Sequence, residues 1–368
     1  MKNFSGKTAL VIGHTGFKGS WLSAWLSSLN VNVIGLSLDI PTSPSNFESS
    51  NIKSCVEDNR VDIRDLNAVK KIVNDSQPDY IFHLAAQSLV RLSYDIPLDT
   101  ITTNALGTAH ILEAIRGLDK SVIAVIITSD KAYDNVEWKW GYRETDKLGG
   151  KDPYSASKGM AELVIRSYVE SFFHSSDSNI KVGIARAGNV IGGGDWAKDR
   201  IVPDCMQAWS KGEVVDIRRP QATRPWQHVL EPLSGYLTLA LTLSDDVDFH
   251  GEAYNFGPSN DFNHPVSSLI DEMSQYWDNV SWNDTSDHNQ QLYEAGLLKL
   301  NCDKALIDLK WMPTLKFKET VRMTVEWYRE YYKRIEEKEH ISMQDFTMHQ
   351  IEEYTKLAKK RGMTWINN

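Results

Sequence analysis

A glycine-rich loop near the start of the chain, Gly13-His14-Thr15-Gly16-Phe17-Lys18-Gly19, limits the possible folds more than any other segment. The apolar run Thr8–Ile12 before it predicts a buried strand, and residues 17–29 carry the apolar spacing of a helix. Glycines in this context permit a tight turn, so that backbone amides and the helix N-terminus can meet a pyrophosphate. We therefore predict a strand–loop–helix unit that binds a dinucleotide. A plain glycine turn is the weaker alternative, and a solvated side chain is an equal alternative for Lys18.

An acidic residue stands where such a unit binds ribose. Asp39 lies 20 residues beyond Gly19 and follows a predicted strand over residues 31–38. A carboxylate at this point can accept hydrogen bonds from both ribose hydroxyls, and it would repel a 2′-phosphate. The sequence therefore favours NAD over NADP.

The first half of the chain alternates short β-branched runs with amphipathic stretches, which is typical of a parallel sheet covered by helices. The fold class predicted is α/β, a doubly wound parallel Rossmann sheet with a smaller C-terminal substrate-binding lobe. The predicted strands are Thr8–Ile12, 31–38, one ending at Val61, 80–84, 122–128 and 181–185, the last of which we expect to close the sheet.

Three regions are expected along the chain. Residues 1–187 form an NAD-binding domain, completed by about residues 225–245, where a helix over 232–243 is expected to return to it. Residues 188–330 form the smaller lobe, which includes the strand Ala253–Phe256, and residues 331–368 form a polar, helical tail.

Charge and cysteine content exclude several classes of protein. With 40 basic and 49 acidic residues the net charge is −9, which argues against a general nucleic-acid binder. The three cysteines, Cys55, Cys205 and Cys302, lie far apart and show no metal-binding spacing, so neither a metal site nor a disulfide framework is expected. We find no signal peptide or membrane span, and we expect a cytoplasmic protein.

Tyr154-Ser155-Ala156-Ser157-Lys158 is the strongest candidate for catalysis. Of the 14 tyrosines, Tyr154 alone has a lysine four residues later, and this spacing places both side chains on one face of a helix. A nearby ammonium group favours the phenolate and lowers the pKa of the phenol, which makes the tyrosine a base. Together with the glycine loop, the pair predicts a phenol that deprotonates an alcohol while NAD accepts the hydride.

A second polar group follows the most β-branched run of the chain, residues 122–128. Ser129, Asp130 and Lys131 come directly after it, and open α/β sheets bind ligands beyond the carboxyl ends of their strands. Ser129 can share the proton of the reacting hydroxyl with Tyr154. Asp130 and Lys131 can act as an acid–base pair, and a surface turn is the alternative.

These residues resemble those of the extended short-chain dehydrogenase/reductases that act on nucleotide sugars, the NAD-dependent epimerase/dehydratase family. Leu84-Ala85-Ala86-Gln87, Asp62-Ile63 and Tyr254-Asn255-Phe256-Gly257 fit the same family. The resemblance implies that the following residues bind the cofactor: Gly13, Thr15, Gly16, Phe17, Lys18, Gly19, Asp39, Asp62, Ile63, Leu84, Ala85, Ala86, Thr103, Tyr154 and Lys158. It implies that the sugar nucleotide contacts Gln87, Asn189, Arg200, Arg224 and Asn255.

Within the family, residues 13–26, 128–158, 186–196 and 224–236 are similar to the branch that dehydrates CDP-glucose. This implies oxidation at C4, loss of water across C5 and C6, and return of the hydride to C6, with NAD remaining bound through turnover. Related dTDP-glucose enzymes carry Asp-Glu where this chain carries Asp130-Lys131, so the C5 base stays open. Trp138, Trp140 and Tyr142 are expected to pack in a core, with a lid over the site as the alternative.

Three other functions stay open. The chain could dehydrate a dTDP-, UDP- or GDP-hexose, or it could be a nucleotide-sugar 4-epimerase, which has no need of an acid–base pair after Ser129. A non-enzymatic NAD-binding protein is the weakest alternative. The resemblance also implies a homodimer or homotetramer that joins through the Tyr154 helix and the helix near residues 100–115, and a product used for cell-surface polysaccharide such as O-antigen.

Overall fold

The computed structural model describes residues 1–174, 178–259, 264–286, 297–337 and 343–367. A seven-stranded sheet forms its centre, and every pairing in it is parallel. The strands of this sheet are β1 Thr8–Ile12, β2 Asn32–Ser37, β3 Glu57–Arg60, β4 Tyr80–His83, β5 Val122–Ile127, β6 Ile180–Ala187 and β11 Ala253–Phe256. The predicted fold class is confirmed.

Strand order places the functional loops at one edge. The order is β11-β6-β5-β4-β1-β2-β3, so the chain leaves β1 in one direction for β2 and β3 and in the other for β4 and β5. Ligands of open α/β sheets bind in the crevice that forms at such a reversal, beyond the carboxyl ends of the strands. Here that crevice lies between the loop after β1 and the loop after β4, whose Leu84 and Ala85 amides both donate to the carbonyl of Ile12.

One predicted strand lies elsewhere than expected. We expected residues 181–185 to close the sheet and Ala253–Phe256 to belong to the smaller lobe, and this was wrong. Strand β11 pairs in parallel with β6, from Ala253 opposite Ile184 to Phe256 opposite Ala187. Four residues that return after a long excursion carry no local sign of their partner strand.

Short two-stranded pairs lie outside the central sheet, in the predicted smaller lobe. Its strands are β7 Val190–Ile191, β8 Val215–Ile217, β9 Thr223–Arg224, β10 Gln227–His228, β12 His264–Pro265 and β13 Trp282–Asp284.

Helices cover both faces of the central sheet. The described α-helices are α1 Phe17–Ser28, α2 Asn46–Ser49, α3 Leu66–Ser76, α4 Val90–Asp95, α5 Pro97–Ile101, α6 Gly107–Ile115, α7 Pro153–Tyr168, α8 Ile201–Trp209, α9 Leu230–Asp245, α10 Val266–Met273, α11 Asp303–Leu309, α12 Phe317–Glu337 and α13 Gln344–Lys360. Two π-helical turns, Thr102–Leu106 and Val169–Phe173, join α5 to α6 and extend α7. The helix predicted over 232–243 is α9, and its Leu239 and Leu243 pack against Gly183 of β6.

The C-terminal helix is part of the core, although its sequence predicts only a polar tail. Tyr354 of α13 stacks on Trp365, with ring centroids 5.6 Å apart, and meets Trp25 of α1 edge-on at 5.7 Å. All three rings are at most 1% exposed. This segment therefore supports the back of the helix that follows the glycine loop.

A buried carboxyl group beneath α13 predicts a pH dependence of stability. Glu231 accepts hydrogen bonds from the amides of Thr314 and Leu315 and from the hydroxyl of Tyr354. Burial raises its pKa from the ordinary 4.5 to about 7. Because the folded state then binds more protons than the unfolded state between these values, this contribution to stability is complete below pH 4.5 and is lost as the pH rises through about 7.

Glu231→Gln should remove that contribution. We expect the free energy of unfolding of the variant to rise relative to that of the natural protein as the pH rises. The change should reach about 3 kcal/mol above neutral pH. Urea unfolding of both proteins at several pH values measures this, and a difference independent of pH would contradict it.

Among the described residues, no helix is long and apolar enough to cross a lipid bilayer. No cluster of three or more potential metal-binding side chains occurs within that part of the chain either.

Candidate active site

The loop after β1 makes a tight turn that requires glycine at two positions. Gly13 has a φ of 95°, and a Cβ there would lie 2.7 Å from the amide nitrogen of Ala85. A Cβ on Gly19 would lie 2.0 Å from the carbonyl oxygen of Gly13. Gly16 precedes α1 without a side-chain cap, so the first amides of that helix are available to an anion. These residues fit a bound dinucleotide.

Two polar residues of this region have separate roles. His14 turns under β2, where its ring lies 2.9 Å from Oγ of Ser37 and 2.9 Å from a carboxylate oxygen of Asp58. It is fully buried and therefore structural in this arrangement. Asp39 is exposed just past β2, and its backbone carbonyl accepts a hydrogen bond from Thr15 at 2.6 Å. Its carboxylate stays a candidate for the ribose hydroxyls.

The remaining candidates for cofactor contact surround this crevice. Leu84, Ala85 and Ala86 are half-buried in the loop after β4, and Thr103 is half-buried in the turn between α5 and α6. Ile63 is buried, and its carbonyl lies 3.0 Å from the ring of His110.

Asp62 forms an ion pair with Arg64 at 2.7 Å. This contact lowers the pKa of Asp62 and occupies part of its carboxylate.

Strand β5 brings the predicted acid–base group to the crevice. Oγ of Ser129 donates to Oδ1 of Asp130 at 2.9 Å, and Nζ of Lys131 lies 3.7 Å from the same oxygen. Asn189, at the end of β6, donates to Oδ2 of Asp130 at 3.5 Å. Asp130 is 2% exposed, whereas Lys131 is half-exposed. The buried carboxylate is thus held between a hydroxyl, an ammonium group and an amide.

Helix α7 positions the tyrosine and the lysine. Asp152 caps the helix by accepting from the amide of Ser155 at 2.9 Å, and Pro153 occupies the first turn, where its missing N–H costs nothing. Tyr154 and Lys158 are 7% and 6% exposed. The predicted Tyr–Lys helix is present, and Tyr154 lies within hydrogen-bonding reach of Ser129.

The electrostatics of Tyr154 differ from the prediction. We expected Lys158 to lower the pKa of the phenol, but burial dominates and raises that pKa to about 12. The hydrogen bond with Ser129 and the charge of Arg200 act in the lowering direction. Burial also lowers the pKa of Lys158 to about 8. The sequence pattern shows the pairing, but it does not show the desolvation that opposes it.

Lys18 is directed into the site rather than into solvent. Its Nζ lies 3.5 Å from the hydroxyl of Tyr236, and the charges of Arg200 and Lys158 act on it. Burial lowers the pKa of Lys18 to about 8. Lys18 therefore lies among both positive and negative side chains, since Asp130 and Asp195 act on it together with Arg200 and Lys158.

Among the predicted substrate contacts, two side chains are already occupied by the protein. Nδ2 of Asn255 donates to the carbonyls of Tyr142 and Asn301, its Oδ1 accepts from Tyr133, and it is fully buried. Both polar atoms of the Asn255 side chain are thus bonded within the protein, and its assignment as a substrate contact stays a prediction.

The side chain of Gln87 is likewise occupied in holding its own loop. Its Nε2 donates to Leu89 and Thr100, and its Oε1 accepts from the amide of Leu89. The contribution of Gln87 to the crevice is therefore to loop shape.

Two arginines, Arg200 and Arg224, remain candidates for contact with the sugar nucleotide. Arg200 donates to Asp195 at 2.7 Å and to Ser88 at 3.3 Å, and its side chain is about one-third exposed. Arg224 donates to the carbonyl of Thr223 at 2.9 Å. Asp195, which the sequence prediction missed, is itself held by Tyr328 through its backbone carbonyl. No local pattern relates residue 195 to a helix more than 100 residues later.

The aromatic residues of the 138–142 segment mostly pack, as we expected. Tyr142 stacks on Tyr133 with centroids 5.1 Å apart, and Trp138 lies 5.2 Å from Tyr142. Trp140 alone of the three is exposed, at 74%.

The fold is that of the extended short-chain dehydrogenase/reductases, and Ser129, Tyr154 and Lys158 remain the predicted catalytic group. Residues 10–324 match the family model described as GDP-mannose 4,6 dehydratase, and the chain belongs to that family. The chain is 46% identical over 333 residues to the CDP-glucose 4,6-dehydratase of Salmonella typhimurium, a match that covers 89% of this chain and 92% of that protein. It is 25% identical to the dTDP-glucose 4,6-dehydratase of Haemophilus influenzae, over 87% of this chain and 97% of the relative.

Solved structures show the same fold at lower identity. The UDP-glucuronic acid 4-epimerase of Bacillus cereus, solved with UDP-glucuronic acid and NAD, superimposes with a TM-score of 0.74 at 21% identity, covering 88% of this chain and 99% of that one. The UDP-glucose 4-epimerase of Brucella ovis, solved with NAD, gives 0.75 at 16% identity, with 88% and 98% covered.

Proposed function

We propose that this protein is an NAD-dependent nucleotide-sugar 4,6-dehydratase and that CDP-glucose is its substrate. The observation that carries the proposal is Asp130, buried beside Ser129 and Lys131 at the strand end that faces Tyr154. A 4-epimerase needs a base at C4 and has no use for a second acid–base pair. The identity of 46% to a CDP-glucose 4,6-dehydratase supports cytosine as the nucleotide base of the substrate.

The glycine loop and Asp39 would hold NAD, which would supply an acceptor and later a donor for the hydride that moves from C4 to C6 of the sugar. Tyr154 takes the proton of the 4-hydroxyl at its phenolic oxygen. Because burial raises the pKa of Tyr154 to about 12, the phenolate depends on the Ser129 hydrogen bond and on nearby positive charge. Arg200 supplies such a charge from the protein, and we propose that Lys158 adds to it.

Elimination of water needs a base at C5 and an acid at the 6-hydroxyl. Oδ1 of Asp130 lies 3.7 Å from Nζ of Lys131, and this pair shares one transferable proton. Transfer from the ammonium group to the carboxylate yields a neutral amine and a carboxylic acid, which are the base and the acid required.

The sugar nucleotide requires a cationic anchor at the mouth of the site. Arg200 is partly exposed there, and its guanidinium can form forked contacts with phosphate oxygens. Arg224 and Asn189 are the further groups we assign to substrate binding.

Incubation with CDP-, dTDP-, UDP- and GDP-linked hexoses tests the proposal. We expect the 4-keto-6-deoxy product from CDP-glucose, identified by mass spectrometry as the loss of one water. If only a dTDP-, UDP- or GDP-linked hexose were converted, CDP-glucose would not be the substrate. Formation of a C4 epimer without water loss would overturn the dehydratase assignment.

We assign the regions of the chain accordingly. Residues 1–187, with about 225–245 and strand β11, hold the cofactor, and the rest of 188–330 contributes the sugar-nucleotide side. Residues 331–368 support the cofactor domain through α13. The three cysteines are unpaired, which supports a reducing compartment, and we propose the cytoplasm.

We also propose a homodimer that joins through α7 and its neighbours. Apolar side chains are exposed on two adjacent elements, with Leu163 of α7 at 59% and Leu106 beside α6 at 47%. Leu163→Glu should convert the dimer to a monomer, because a charge opposite its own copy cannot be desolvated cheaply.

Light scattering after size-exclusion chromatography measures the mass of this variant. Ile307→Glu is the matched control, since Ile307 is 64% exposed on α11 and should leave the mass unchanged. A natural protein that runs as a monomer would contradict the dimer.

A further inference from the structure

A buried ion pair that the proposed reaction does not use joins the Tyr154 helix to the sheet. Glu162 of α7 faces Arg186 of β6, and both side chains are at most 4% exposed. Nε of Arg186 donates to Oε1 of Glu162 at 2.7 Å, and a second guanidinium nitrogen contacts Oε2. A two-pronged contact of this kind fixes the relative position of two elements more firmly than a single hydrogen bond.

The same pair contacts both ends of the catalytic segment 129–131. Thr128, just before the segment, donates to Oε1 of Glu162 at 2.6 Å. Tyr133, just after it, accepts from Nη1 of Arg186 at 2.7 Å. The backbone carbonyl of Glu144 accepts from the same nitrogen at 3.0 Å. The ion pair thus spans the segment that carries the proposed acid and base.

Glu162 also stands one helical turn beyond Lys158, on the same face of α7. Its negative charge raises the pKa of Lys158, against burial, which lowers that pKa to about 8. The other titratable groups that act with Lys158 are Lys18 of α1, a cation, and His83 of β4. Burial lowers the pKa of His83 to about 3, so its ring is neutral at working pH.

We propose that Glu162 and Arg186 form a positioning unit, which holds Ser129, Asp130 and Lys131 against Tyr154 and keeps a carboxylate beside Lys158 so that its amine stays protonated. The inference rests on the proposed function, because Lys158 serves the reaction proposed above. The Glu162–Arg186 pair thus affects both the position of the catalytic segment and the protonation of Lys158.

The test uses a variant that removes both charges. Glu162→Gln alone leaves a buried guanidinium without its partner, and such a change lowers stability strongly. The double change Glu162→Gln with Arg186→Gln leaves no uncompensated charge and retains hydrogen-bonding groups at both positions. Glu162→Asp keeps the carboxylate beside Arg186 and serves as the conservative variant.

We expect the alkaline limb of the kcat–pH profile to move to lower pH by about one unit in the double variant. Without Glu162 the pKa of Lys158 falls further, so the amine loses its proton at a lower pH. The reaction then loses the positive charge of Lys158 at that lower pH as well. Glu162→Asp should leave the limb in place. Glu352→Gln is the matched control, because it removes an exposed carboxylate four residues from Lys356, at 3.3 Å, far from any proposed role.

A second readout does not depend on turnover. The rate at which acetic anhydride acetylates Lys158, followed by peptide mass spectrometry against pH, reports the protonation of that amine. We expect its midpoint to shift in the same direction as the kinetic limb. A uniform loss of activity with both midpoints unmoved would overturn the inference, whereas absence of 4-keto-6-deoxy product from the natural protein with a shifted acetylation midpoint would overturn the proposed function alone.

Discussion

Tyr154→Phe is expected to lower kcat for dehydration about a thousandfold, the largest effect of any single change at the site. The phenylalanine ring preserves the buried packing of a side chain that is 7% exposed, but it has no oxygen to accept the proton of the 4-hydroxyl. The bonds of the Ser129 hydroxyl to Asp130 and to the amide of Lys131 should remain. Steady-state kinetics with CDP-glucose measures the change.

Two further measurements separate loss of the base from loss of the site. Affinity for NAD, measured by calorimetry, should remain close to that of the natural protein, since the glycine loop is untouched. Tyr276→Phe is the control, because Tyr276 donates to Glu272 at 3.4 Å in the smaller lobe. A Tyr154→Phe variant with kcat within a fewfold of the natural value would exclude this tyrosine as the base.

Asp130→Asn and Lys131→Met should each abolish elimination while they spare the oxidation at C4. We expect water loss to slow by about two to four orders of magnitude. Because Tyr154 can still deprotonate the 4-hydroxyl, reduced cofactor should accumulate after substrate is added, and its absorbance measures this. With an intact acid–base pair, elimination follows oxidation quickly, so reduced cofactor does not accumulate.

The matched control for this pair lies close by. Lys147 and Asp134 form another Lys–Asp pair, at 2.8 Å, but the lysine is 81% exposed. Lys147→Met should leave both steps unchanged. If Asp130→Asn and Lys131→Met retained full rates of water loss, the pair would have no role in elimination, and its acid and base would have to be other groups.

Local signals predicted the first half of the fold well. The glycine loop has meaning only between a strand and a helix, and both neighbours were evident from apolar spacing in β1 and α1. The Tyr154–Lys158 pair was equally visible, because a four-residue spacing within one helix needs no tertiary information. Asp130 beside Ser129 followed from their place after the most β-branched strand.

What the sequence could not predict depends on contacts between distant segments. Strand β11 joins β6 across more than sixty intervening residues, and Asn255 within it belongs to a buried hydrogen-bond network. The partnership of Glu162 with Arg186 likewise joins a helix to a strand.

Desolvation was also invisible in the sequence. Tyr154 and Lys158 are both nearly buried, and burial opposes the charged form of each, so that the pKa of the phenol rises although a lysine lies one turn away. A spacing rule reports which charges are neighbours, but not how much water they have lost.

In the proposed reaction, one site removes hydrogen from C4 and returns it to C6 of the same sugar. CDP-glucose deuterated at C4 tests this directly, with the position of the label in the product determined by NMR. We expect deuterium at C6 of the 4-keto-6-deoxy sugar. Product without deuterium at C6 would contradict it.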